Sequence, residues 1–215
     1  MDEVTPDTAV ARVVREWEER VRPLAERGIA TLAAEMPFVD PGRGEWVVGN
    51  LLADAVRRAT GAQASIVNSG SIRRGLPAGP VSYGTLYELQ PFQNALVTVE
   101  ATGAQLRAAL ENGLDEHGRI NAHVSGLTVV YDSAAPAGSR VRSITLDGGR
   151  AVRDDDRVTL GLTEFVATGG DRFTMLRDLP RRNTGVIDLD AVIAHLQALP
   201  HPVSPPATGR WRKAR

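Results

Sequence analysis

The chain has 215 residues, no cysteine, a formal net charge of −1 and a pI near 6.4. That length allows a substantial core, while the balanced charge argues against a general nucleic-acid binder. Disulfides and thiol chemistry are excluded, and no apolar run approaches the roughly 18 residues that suggest a membrane span.

From Pro6 to about Arg27, Val10, Val14, Trp17, Val21 and Leu24 recur at alternating spacings of four and three. This is one stripe of an amphipathic helix, with Pro6 in its first turn and Pro23 expected to kink or end it. Ile29 to Met36 reads as a strand and Asp40-Pro41-Gly42-Arg43-Gly44 as a loop. Trp46 to Thr60 reads as a helix that stops at Gly61. The apolar run Ala64-Ser65-Ile66-Val67 then has strand composition and no room for a helix. It ends in Asn68-Ser69-Gly70-Ser71-Ile72-Arg73, a tight polar turn whose backbone N–H groups can converge on an anion, with Arg73 adding a planar fork of donors.

Beyond Pro77-Ala78-Gly79-Pro80 the pattern predicts a short strand at Val81, a short helix over Tyr83 to Leu89 and a strand over Ala95 to Val99. Thr102 caps a helix to about Leu114. Leu127 to Tyr131 and Val141 to Leu146 read as strands, the second running into an Asp147-Gly148-Gly149 turn that suggests a hairpin. Val158 to Val166 is a further strand, closed by Thr168-Gly169-Gly170-Asp171, and Asp188 opens a last helix through Leu199. With no repeat and no linker before residue 200, residues 1–200 are expected to form a single α+β domain. Residues 201–215, rich in Pro and ending in Arg210, Arg212, Lys213 and Arg215, are expected to be a disordered basic tail.

Few residues offer catalytic chemistry. His117, His123, His195 and His201 have no metal-ligand spacing and are expected to be solvated, without a role. Asp154-Asp155-Asp156 reads as a solvated turn. Lys213 is the only lysine, which removes lysine nucleophiles and a P-loop lysine from the folded region. No GxSxG, full P-loop or strand-following GxGxxG is present. Four features remain: the turns at Asn68–Arg73 and Thr168–Asp171, and two of the four phenylalanines, Phe92 and Phe165, placed beside polar turns. Together they supply two apolar faces for a base, an acid for ribose hydroxyls and an arginine for phosphate.

Five motifs taken in order carry a resemblance. They are Gly49-Asn50-Leu51-Leu52-Ala53-Asp54-Ala55, Asn68-Ser69-Gly70-Ser71-Ile72-Arg73, Pro91-Phe92-Gln93-Asn94, Tyr131-Asp132-Ser133 and Phe165-Val166-Ala167-Thr168-Gly169-Gly170-Asp171. Over roughly residues 10 to 180 the chain resembles the C-terminal domain of the 5′-nucleotidase family, which includes UDP-sugar hydrolases and 2′,3′-cyclic nucleotide phosphodiesterases. The resemblance implies an α+β fold with a mixed sheet that recognises a nucleotide or nucleoside. It assigns base stacking to Phe92 and Phe165, the ribose-binding acid to Asp171, a polar position near the base to Asn94, and the turn residues to Asn68, Gly70, Arg73 and Gly170. Arg43 stands near a further family arginine, about one residue out of register.

Two departures bear on these expectations. Ser69 and Ser71 replace glycines of the family turn, which would store about 1–3 kcal/mol of strain wherever φ is positive. Glu164 adds a negative charge before Phe165. The metallophosphoesterase domain that holds two divalent metals in the family is absent, so this chain is expected to hold no cofactor and to bind without hydrolysing. Three readings stay open at this stage: the substrate-recognition half of a 5′-nucleotidase-type hydrolase, working with a metallophosphoesterase domain or subunit; a stand-alone nucleotide- or nucleoside-binding module; and a related fold with an unrelated job. Nucleic acid and membrane are not expected partners. The acidic N-terminus, without an apolar core, is not expected to be a signal peptide, and localisation is left open.

Overall fold

A computed structural model of the protein describes residues 7–38 and 44–214. In chain order it builds α1 (Thr8–Ala25), β1 (Gly28–Leu32), α2 (Val47–Thr60), β2 (Ala64–Asn68), β3 (Gly79–Ser82), α3 (Tyr83–Leu89), β4 (Ala95–Thr102) and α4 (Gly103–Asn112). The second half adds β5 (Ala122–Ser125), β6 (Leu127–Tyr131), β7 (Val141–Leu146), β8 (Arg157–Thr163), α5 (Glu164–Ala167), β9 (Arg181–Ile187), α6 (Asp188–Ala198) and β10 (Trp211–Lys213). Most boundaries follow local chemistry. Asp7 caps α1 by accepting from the N–H groups of Ala9 and Val10. Thr102 and Gln105 close a reciprocal capping box on α4, which satisfies two amide donors that the first helical turn would otherwise leave unpaired.

The centre is a five-stranded mixed sheet in the order β5-β2-β8-β4-β9. β2 runs parallel to β8 and antiparallel to β5, while β4 is antiparallel to both β8 and β9. Alternation along the strands feeds two apolar clusters, one on each face. Ile66, Val97 and Val99 pack with Leu106 and Leu110 of α4 and with Val129 and Ile144 of a second sheet, β10-β6-β7. Val67 and Leu96 pack instead with Leu51, Leu52 and Val56 of α2 and with Val192 and Leu196 of α6. Helices and mixed sheets layered this way make an α+β fold.

This arrangement explains where a site can form. The C-terminal ends of parallel β2 and β8 lie at the same edge of the sheet as the N-terminal end of antiparallel β4, where Leu96 pairs with Thr163. The segments leaving β2, entering β4 and leaving β8 therefore meet, although they are far apart in sequence.

Several expectations are corrected. The apolar stripe of α1 does not reach the core: Trp17 is 58% exposed and no residue of the helix is buried. Only its C-terminal end packs closely, Ala25 lying against Gly84 of α3. Pro23 is accommodated in the last turn, and the helix ends two residues later. β1 stops at Leu32, and Met36, whose side chain is buried in the core, pairs with Leu76 in an isolated bridge and not as part of that strand. The Asp147-Gly148-Gly149 turn leads to a single bridge, Thr145 to Ala151, and the true antiparallel partner of β7 is β6. Pro6 and most of the 40–44 loop lie outside the described residues.

The basic tail is not disordered as far as residue 214. β10 runs parallel to β6, and Trp211 is buried edge-on against Tyr131 with ring centroids 5.6 Å apart. Arg210 grips Asp54 through both carboxylate oxygens, at 2.9 and 2.7 Å, and also donates to the Val124 carbonyl at 2.6 Å. Glu45 accepts from the Trp211 N–H at 2.7 Å, and Asn50 donates to the Ala207 carbonyl at 3.2 Å. The Gly49–Ala55 motif thus serves the architecture, since Asn50 and Asp54, one helical turn apart, fasten the C-terminal segment across α2.

Candidate functional site

Asn68, Gly70, Ser71, Phe92, Asn94, Phe165 and Asp171 line one cleft of about 120 Å³. They come from the turn after β2, the loop before β4 and the segment after β8. Phe92 is 52% and Phe165 43% exposed, an expensive position for an aromatic ring that nothing covers. Phe165 lies on the short helix α5 and not at the end of a strand. Gly170 explains how its ring fits, since a Cβ at 170 would lie 2.5 Å from a Phe165 ring carbon. Gly70 serves the same purpose opposite, where a Cβ would meet Asp171 Oδ2 at 3.0 Å.

The polar wall is held by direct bonds. Asn68 Nδ2 donates to Asp171 Oδ2 at 2.6 Å, and the Asp171 carbonyl accepts from Asn112 Nδ2 at 3.0 Å. Asn68 Oδ1 is buried without a hydrogen-bond partner among the described residues. Arg73 is exposed, pairs with no carboxylate among the described residues, and donates to the Gly70 carbonyl at 3.2 Å. Its guanidinium carbon lies 6.0 Å from the Phe92 ring centre, at the rim of the cleft. Three amides of the turn are already taken by protein carbonyls: Ile72 N donates to Ser69 O within it, Ser69 N to Asn121 O and Arg73 N to Leu89 O outside it.

Backbone strain is located differently from the expectation. Neither Ser69 nor Ser71 has positive φ, because the chain there forms one turn of 3₁₀ helix that any residue can adopt. Among the described residues, the non-glycine positions with positive φ are Gln93 at 53°, Asp171 at 47° and Arg172 at 65°. All three adjoin or line the cleft. Such conformations cost on the order of 1–3 kcal/mol each and persist where surrounding structure enforces them. Gln93 separates Phe92 from Asn94, and the turn through it lets both residues face the cleft.

The histidine expectation fails for two of the four. His123 is buried on β5, a strand too short to be seen in the sequence, and His195 is buried on α6. Burial first, and the nearby charge of Arg210 second, push the His123 pKa down to about 3, so its ring is neutral. Its Nε2 lies 3.2 Å from Ser69 Oγ, while Nδ1 has no partner among the described residues. With no third group on Nδ1 and Ser69 away from the cleft lining, the pair anchors the turn rather than forming a nucleophile and base. Gly49 is required beneath it, because a Cβ there would collide with the His123 ring.

The Asp132 motif is likewise outside the cleft, where the Arg142 guanidinium holds the Asp132 carboxyl below its usual range. Asp154 and Asp156 pair with Arg107 and Arg150. Among the described residues no three His, Asp or Glu side chains gather in a way that could hold a metal ion. No described helix is long and apolar enough to cross a membrane. Of the residues singled out from the sequence, Arg43 lies outside the described residues, Arg73 stands at the rim, and Gly170 supports Phe165 from behind. Ser71 joins the lining, its hydroxyl donating to Asn68 O at 2.8 Å.

The fold and cleft define an α+β domain with an open aromatic-walled pocket at one edge of a mixed sheet. The comparisons make this specific: the chain matches the family model described as 5′-nucleotidase, C-terminal domain, over residues 29–178, and it belongs to that family. A 5′-nucleotidase precursor from Thermus thermophilus superimposes with a TM-score of 0.84 at 30% identity, over 97% of this chain and 44% of that one. The endonuclease YhcR of Bacillus subtilis is 26% identical over 98% of this chain, and an apyrase of Anopheles gambiae 28% over 90%. This chain spans 17% and 36% of those two relatives.

Proposed function

We propose that the cleft binds a nucleotide or nucleoside, with the base between Phe92 and Phe165, the ribose hydroxyls at Asp171 and a phosphate at Arg73. The observation that carries this reading is the pair of exposed phenylalanines, from segments more than 70 residues apart, on the walls of one pocket that also holds the Asp171 carboxylate. An ionised carboxylate accepts hydroxyl donors and repels phosphate, while a guanidinium does the reverse. The two charged groups therefore sort the two ends of one ligand. The names of the relatives, a 5′-nucleotidase precursor and an apyrase among them, support the ligand class.

The domain acts as the substrate-recognition half of a 5′-nucleotidase-type phosphoester hydrolase, working beside a metallophosphoesterase domain or subunit that carries out the metal chemistry. The small share of each relative that it spans supports this division of labour. Titration of the chain with adenosine and AMP tests the reading. Phe92→Ala and Phe165→Ala should each weaken binding roughly ten- to a hundredfold, the worth of one base stack at about 1–3 kcal/mol, with melting temperatures close to that of the parent. Unchanged affinity in both variants would overturn it.

A further inference from the structure

Asn94 lines the cleft, yet its orientation is set from outside. Its backbone carbonyl accepts from the Asp188 N–H at 2.9 Å, and its side-chain Nδ2 donates to Asp188 Oδ2 at 3.2 Å. Asp188 is fully buried at the first turn of α6, and its other oxygen accepts from the Leu189 N–H at 2.8 Å. An ionised carboxylate has no donor to offer. Burial raises the Asp188 pKa, while the bonds from Asn94 and the Leu189 N–H favour its charged form. In that form the amide atom of Asn94 that faces it is the NH₂ group, which leaves Oδ1 as the other end of the amide.

We infer that Asp188 is a positioning residue that makes Asn94 a hydrogen-bond acceptor toward the bound base. The site then selects bases that present an amino group there over those that present an oxo group. Adenine is favoured over hypoxanthine and cytosine over uracil, because the oxo base would set a carbonyl oxygen against the Asn94 oxygen. An oxo base there loses a hydrogen bond and faces one acceptor with another, which weakens its binding relative to the amino base. The inference rests on the base slot proposed above.

The test is calorimetric titration at pH 8 with two matched pairs, adenosine against inosine and cytidine against uridine. The parent protein should prefer the amino member of each pair by roughly tenfold or more. Asp188→Asn keeps an acceptor for Leu189 but also offers a donor, so the Asn94 amide can turn either way. That variant should lose most of the preference while still binding both members. Asn94→Ala should abolish the preference; because it also takes a donor from the buried Asp188 carboxylate, its melting temperature is read beside its affinities, and it carries the test if Asp188→Asn melts early. A merely structural Asp188 would weaken both members alike and leave their ratio intact. Equal binding within each pair by the parent, or an unchanged ratio in a stably folded Asp188→Asn, overturns the inference and leaves the base slot standing. Failure of every nucleoside to bind removes both.

Discussion

The C-terminal strap offers the sharpest test of the fold. Arg210→Ala removes a guanidinium whose partners are both oxygens of Asp54, the Val124 carbonyl and, at 3.4 Å, the Asn50 carbonyl. The Asp54 side chain is 25% exposed and that of Arg210 18%, so the carboxylate left behind is mostly shielded from water. It keeps one bond, from Ser125 Oγ at 2.5 Å. Breaking a fully buried pair costs about 3–5 kcal/mol, and discounting for residual solvent contact gives about 2–4 kcal/mol here. Loss of β10 pairing and of the Trp211 contact with Tyr131 would place the value toward the upper end. For a domain of this size 1 kcal/mol corresponds to roughly 2–4 °C, so the melting temperature should fall by about 4–16 °C. Differential scanning calorimetry of Arg210→Ala beside Arg212→Ala, which loses only a bond to the Gly209 carbonyl, provides the assay and its control. A melting temperature for Arg210→Ala within a degree of the parent would refute the strap.

Arg73→Ala should weaken AMP by about 1.5–3 kcal/mol, the worth of a charge-assisted hydrogen bond, and leave adenosine nearly untouched; equal losses for both ligands in titration would remove the phosphate role. Asp171→Ala should weaken adenosine and AMP alike, with 2′-deoxyadenosine showing part of the same loss on the parent protein. Because the folded state holds the His123 pKa near 3 against an ordinary 6.5, the unfolded chain binds an extra proton between those values, and stability falls as pH drops. At pH 5 the cost is about 2 kcal/mol relative to neutral pH, from ~1.4 kcal/mol per unit. Urea melts at pH 7 and pH 5 should show that loss in the parent and much less of it in His123→Gln; identical pH dependence in the two would count against it. The chain alone should show no turnover of AMP with Mn²⁺, Co²⁺ or Zn²⁺, and chelator-sensitive hydrolysis by clean protein would contradict this.

What the sequence by itself determined is local. The run into Asn68 ends a strand because its apolar residues are short, β-branched and stopped by small polar ones. The capped helix from Thr102 and the helix opened at Asp188 likewise follow from their own residues. The five motifs identify the family for the same reason, since each is a contiguous stretch. Phe92, Phe165 and Asp171 are legible as candidates because each belongs to or stands beside a polar turn, whereas Asn94 enters only through the family resemblance.

Tertiary structure decided whatever depends on a distant partner. β9 is an edge strand with little burial, and β10 has three residues defined by the strand beside it, so neither carries an alternating apolar pattern. The tail is ordered because Asp54, more than 150 residues earlier, neutralises Arg210. His123 is buried because Gly49 leaves room for its ring. The strained positions at Gln93, Asp171 and Arg172 are not glycines themselves, so the residue types there do not announce the positive angles that surrounding contacts impose. The cleft depends most on long-range pairing. Its walls meet because β2 and β8 run parallel and β4 runs against them, a set of hydrogen bonds between strands tens of residues apart that no short stretch of sequence encodes.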